Sequence, residues 1–222
     1  MNQYSLQKKL FLAFIFAIAM AFMESAIVVY LRELYYPLGF QFPLKEIPVF
    51  IGLVEIGREM ATITMLTTFA MLIAHNKRET FAYFSFSFAI WDIGYYVWLK
   101  VIIDWPSSLL DWDILFLIPS PWIGPVLAPL LVSLGLTGAA ILILFREKAN
   151  QPVQMGLWMW LFEIICGLTI IVSFLIVPLQ AGIPRRYSWE LFLGGFIPGI
   201  LVFAYTALRS SAGKRRTVRL RE

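Results

Sequence analysis

From Leu10 to Leu31 the chain reads LFLAFIFAIAMAFMESAIVVYL, an apolar run broken by a single formal charge, Glu24. A helix needs roughly 20 mostly apolar residues to cross the hydrocarbon core of a bilayer, and this run supplies them. Lys8-Lys9 ahead of it and Ala19-Met20-Ala21 inside it imitate a cleaved secretory signal. The apolar stretch continues well past that mock cleavage site, so it reads as a retained span.

Further runs of the same kind follow. The expected fold class is all-α, a polytopic transmembrane helical bundle of six spans making one domain over residues 1–222. The spans fall at about 10–31, 48–74, 81–103, 122–145, 155–177 and 190–208, ahead of a basic tail at 209–222. Composition agrees. The chain is 60% hydrophobic and 14% charged, where a soluble domain carries about a quarter charged residues. Between spans three and four, Trp105 to Pro121 mixes Asp111 and Asp113 with Leu, Ile and Phe. It is too short and too acidic to span, and is expected to lie in the interface on the outer side.

Orientation follows from Lys and Arg, which are retained on the cytoplasmic side of short loops. Lys8, Lys9, Lys77, Arg78, Arg146, Lys148 and the basic tail share one side of a six-span chain. Arg32, Lys45, Lys100, Arg185 and Arg186 share the other. Both termini are therefore expected in the cytoplasm, and the expected location is the plasma (inner) membrane. The partners implied are the lipid bilayer and anionic lipid at the tail, where each basic residue contributes about 1 kcal/mol. The tail lacks the interleaved aromatics of a nucleic-acid surface.

One cysteine, Cys166, excludes an internal disulfide framework, and one histidine, His75, cannot supply a bis-His haem or a His-rich zinc site. No P-loop, dinucleotide-binding fingerprint or nucleophile elbow is present.

The informative residues are ionisable groups inside the apolar runs: Glu24, Glu55, Arg58, Glu59, Asp92 and Glu163. Each costs roughly 2.5 to 3.5 kcal/mol at mid-membrane on insertion scales, so they must face the bundle interior. Helical spacing supports that placement. Ala13, Ala17, Ala21, Glu24 and Ser25 form one stripe. Gly52, Glu55, Arg58, Glu59 and Thr62 form a second, and Ser85, Ala89, Asp92, Tyr95 and Tyr96 a third. Five acids against one arginine leave a surplus that needs bound protons or a bound cation. Pro125, Pro129, Ser133 and Thr137 share a four-residue step in span four, and Pro129 and Pro198 are expected to kink their helices. Tyr95, Tyr96 and Trp112 are candidate substrate contacts in an outer aromatic belt.

Three functional readings result. The favoured one is the handling of protons, ions or a small solute. The second is a membrane-embedded enzyme acting on a lipid-like substrate, with a divalent cation on Glu24, Glu55, Glu59 and Asp92. The third is a subunit of a larger membrane complex. A homodimer is a further partnership, one that a small carrier could use. The strings Glu55-Ile-Gly-Arg-Glu59 and Trp91-Asp-Ile-Gly-Tyr-Tyr96 are distinctive but carry no activity of their own.

Overall fold

The computed structural model describes the backbone of residues 5–219 and the side chains of residues 5–209. Six helices are present: α1 (Leu6–Tyr35), α2 (Val49–Ile73), α3 (Lys77–Ile103), α4 (Leu127–Lys148), α5 (Leu157–Leu175) and α6 (Trp189–Arg219). Two short hairpins complete the fold, β1 (Trp112–Ile114) with β2 (Ile123–Pro125), and β3 (Leu179–Gln180) with β4 (Ile183–Pro184). Five helices are long and apolar enough to cross a membrane: α1, α3, α4, α5 and α6 through Arg209. The exception is α2, in which Glu55, Arg58 and Glu59 sit within five residues. Leu72 on α2 and Trp158 on α5 are each 83% exposed, the outward apolar surface expected of a protein solvated by lipid rather than water.

Several helices outrun the apolar runs that announce them, because polar residues can cap and extend a helix beyond the hydrocarbon. Asn76 starts α3 by accepting the N–H groups of Arg78 and Glu79, so the helix begins at Lys77 rather than Phe81. Asp104 ends it in the left-handed region, at φ 53°. The fourth span is shorter than its apolar run. Ile123–Pro125 pair as a strand with Trp112–Ile114, in the register Asp113 opposite Gly124. Pro125 therefore lies outside α4. Pro129 lies in the first turn of α4, where no backbone N–H is required, and so interrupts no helical bond. Pro198 is the proline inside a helix. The connection between α3 and α4 thus carries a β-hairpin. The tail cations Lys214, Arg215, Arg216, Arg219 and Arg221 have side chains outside the described residues.

Helix α3 is the hub, packing against α1, α2 and α4, while α5 and α6 pair with each other, α6 also meeting α4 and α5 meeting β2. The α1–α3 contact is built from small residues. Ala13, Ala17, Ala21 and Ser25 are each fully buried. Gly94 of α3 lies so close that a Cβ there would meet the Ala21 methyl at 2.8 Å. Backbone groups are read across this seam: Ser25 Oγ donates to the Tyr95 carbonyl at 3.1 Å, and the Trp98 indole N–H to the Ile18 carbonyl at 3.2 Å. Beyond the opposite end of the bundle from Lys77, Phe174, Tyr187 and Phe192 pack with Ile123 beneath the β1–β2 hairpin.

Gly94→Leu is expected to destabilise the protein by roughly 1–3 kcal/mol through overpacking, read as a lower thermal midpoint in detergent. Gly57→Ala is the control. An added Cβ there meets nothing within 4 Å, so the midpoint should hold or rise slightly.

Candidate functional site

Helix α2 turns its charged stripe inward. Glu55 and Glu59 are each 6% exposed, and Thr62, Leu66 and Ala70 continue the same buried face. Arg58 projects from this helix between two acids. Its Nε donates to Glu55 Oε2 at 2.9 Å, one turn away, and its Nη1 pairs with Glu24 of α1. Thr62 Oγ1 lies 3.5 Å from the other oxygen of Glu24. One guanidinium therefore holds two carboxylates from two helices, a charge-assisted clasp of the kind that low dielectric strengthens.

Two other acids of the cluster form no ion pair among the described residues. Glu59 accepts the backbone N–H of Leu117, which lies 3.0 Å from both carboxylate oxygens. That bond ties the outer segment down onto α2. Asp92 of α3 accepts the Ser133 hydroxyl of α4 at 2.8 Å.

A second buried ion pair stands above them. Arg32, near the end of α1, donates from Nη2 to Asp113 Oδ1 of β1 at 3.1 Å. Arg32 is 8% exposed and Asp113 2%. The guanidinium is 3.8 Å from the Trp105 ring centroid and 4.6 Å from that of Phe40, an aromatic setting suited to a weakly hydrated cation. Tyr95 OH lies 3.5 Å from Asp113 Oδ2. Burial pushes the Asp113 carboxyl up, and the Arg32 charge beside it works in the opposite direction.

These groups surround one cavity of about 310 Å³. Its lining includes Glu24, Glu55, Arg58, Glu59, Asp92, Tyr95 and Tyr96, all named above from the sequence, together with Arg32, Asp113, Lys45, Tyr35 and Tyr36. The volume suits a small solute, at the low end of ligand pockets. Two candidates lie elsewhere. Trp112 packs edge-on against Tyr187, with ring centroids 6.4 Å apart, in the aromatic cluster under the hairpin. Glu163 lines a different cavity, among α3, α4, α5 and α6.

Arg32 and Asp113 were not part of the sequence-based cluster, where Arg32 reads as a loop charge and Asp113 as a solvated acid. One signal was available. Arg32 lies seven residues beyond Ser25 and so continues the Ala13–Ala17–Ala21–Ser25 face by two turns. Asp113 had no comparable signal, because its burial depends on a hairpin that brings it 81 positions back to α1. Among the described residues, no group of three or more His, Cys, Asp or Glu side chains is arranged to hold a metal ion. Around Glu24 and Glu55 the nearby cation is Arg58. Compared with known protein families, curated proteins and solved structures, the chain matches none.

Arg58→Leu leaves Glu24 and Glu55 buried without their counter-charge. It is expected to cost about 3–5 kcal/mol, seen as reduced yield and a lower thermal midpoint in detergent. Glu59→Leu removes the acceptor for Leu117. Amide exchange at residues 115–118 should then accelerate about tenfold or more, while exchange within α3 stays unchanged.

Proposed function

We propose that all six helices cross the bilayer, with both termini in the cytoplasm, and that the carboxylate cavity handles protons or a small cation. For α2, the support is its length and its faces. At 1.5 Å per residue, 25 residues reach about 37 Å, enough for a hydrocarbon core of about 30 Å. Its acids face α1 and the cavity, whereas Phe50, Leu53 and Leu72 face outward. The distribution of Lys and Arg supports the orientation.

One observation carries the functional reading. Glu59 and Asp92 line the same cavity, and among the described residues both accept hydrogen bonds and neither is in an ion pair. The other three acids of the lining are paired: Glu24 and Glu55 with Arg58, and Asp113 with Arg32. Lys45 is the remaining cation of the lining, and it is exposed. A carboxylate beside a wet cavity in a membrane is a place where a proton or cation is taken up and released. The outer segment, tied to Glu59 through Leu117, sits where a lid would: uptake at Glu59 competes with that bond and so couples occupancy to the lid.

The enzyme reading uses the same residues, with a divalent cation at Glu59 and Asp92 in place of a proton. The complex-subunit reading makes the cavity part of a path shared with partners. Protein reconstituted in liposomes carrying a pH-sensitive dye should dissipate a proton gradient faster than empty liposomes. Asp92→Asn and Glu59→Gln should each reduce that rate about tenfold or more, with the folded yield retained. Rates equal to those of empty liposomes for the unmodified protein would sink the reading. In that case, elemental analysis showing a stoichiometric metal, lost in Glu59→Gln, would favour the enzyme, and a stable copurifying membrane partner would favour the complex.

A further inference from the structure

The second cavity is larger, about 860 Å³, and has a different character. It lies between the Lys77 end of α3 and helices α4, α5 and α6. The first cavity is on the other side of α4. Ser133 turns toward Asp92, while Val132, Gly135 and Leu136 of the next turn line this second space. Its walls are mostly apolar, with Phe81, Trp160, Phe196 and Phe203 among them. Phe81 of α3 and Trp160 of α5 meet edge-to-face at 5.7 Å across the gap between their helices.

Within this apolar lining stands Glu163. Each acid around the first cavity accepts a hydrogen bond or pairs with an arginine. Glu163 has no hydrogen-bond or ion-pair partner among the described residues, and its Oε1 is buried. Glu163 Oε2 lies 3.3 Å from where a Cβ on Gly199 would be, so the absence of a side chain at Gly199 leaves room beside the carboxyl. A buried acceptor with nothing to accept from is disfavoured in an apolar interior. A donor arriving from outside the chain removes that penalty. The donor should be neutral. Lys77 stands at one edge of the same cavity, beside an Arg78 paired with Glu147, and opposes a cationic ligand, while the apolar walls oppose a strongly hydrated anion.

We propose that this cavity binds a neutral lipophile bearing one hydroxyl group, a long-chain phenol or alcohol drawn from the membrane. The hydroxyl donates to Glu163, and the hydrocarbon lies along Phe81, Trp160, Phe196 and Phe203. The cavity volume is within the range of sites that enclose such molecules. The reading is independent of proton or cation handling at the first cavity.

The test uses a matched probe pair, 4-nonylphenol and 4-nonylanisole, which differ in the replacement of O–H by O–CH3. Each is titrated onto the full chain in phosphatidylcholine nanodiscs, with empty nanodiscs as the partition control. The unmodified protein should bind the phenol saturably and at least about tenfold more tightly than the anisole. Glu163→Leu should abolish that preference. Gly167→Leu should abolish saturable binding of both probes, since Gly167 lines the cavity and an added Cβ there meets nothing within 4 Å. Asp92→Asn, on the other side of α4, should leave phenol binding unchanged whatever it does to proton flux. Equal affinity for the two probes would overturn the proposal, as would a preference that survives Glu163→Leu or saturable binding that survives Gly167→Leu. If Glu163→Leu does not fold, the probe pair on the unmodified protein and the Gly167→Leu variant still decide the question.

Discussion

A guanidinium cannot be carried into an apolar interior alone, and Arg58 is not alone. It occupies the space between Glu55, one turn along its own helix, and Glu24 on α1. The remainder of the site is arranged around this neutralisation. With two acids committed to Arg58, Glu59 is left for the outer segment and Asp92 for α4. Glu24, Glu59 and Asp92 thereby each tie together a different pair of elements. The polar cluster is a set of joints as well as a site, so changes in its charge act on helix positions directly.

The membrane-embedded character was legible because it depends on composition and run length, which need no tertiary information. The polar stripes were legible for the same reason: a four-residue step in a helix puts Ala13, Ala17, Ala21 and Ser25 on one face whatever that face meets. What those faces meet was not legible. The Arg32–Asp113 pair joins the end of a helix to a short strand, and no periodicity announces a three-residue strand. Trp112 and Tyr95 look alike as outer aromatics in the sequence. The hairpin turns one into the Phe174 cluster and leaves the other at the cavity. Glu163 shares its chemistry with the other intramembrane acids, and its separation from them is a matter of helix order, since α5 packs chiefly against α6.

Prolines illustrate the limits of residue type as a signal. Pro129 and Pro198 look equivalent as helix breakers in apolar runs. A few residues of difference in where α4 begins put Pro129 in the first turn, where its missing N–H has no consequence. Pro198 falls inside α6 and removes the bond to the Gly194 carbonyl. Just ahead of α4, Gly124 in β2 lies so close to the Phe174 ring that a Cβ would be 2.6 Å away.

The order of the helices in the chain has a consequence for biosynthesis. The small-residue face of α1 fits α3, and the acidic face of α2 looks onto the same helix, yet α3 is translated after both. A ribosome feeding this chain into a bilayer delivers Glu24 first, then its counter-charge 34 positions later, and the helix that both pack against later still. Until α3 arrives, the Arg58 clasp is what offsets the charge of Glu24 and Glu55 between the first two helices.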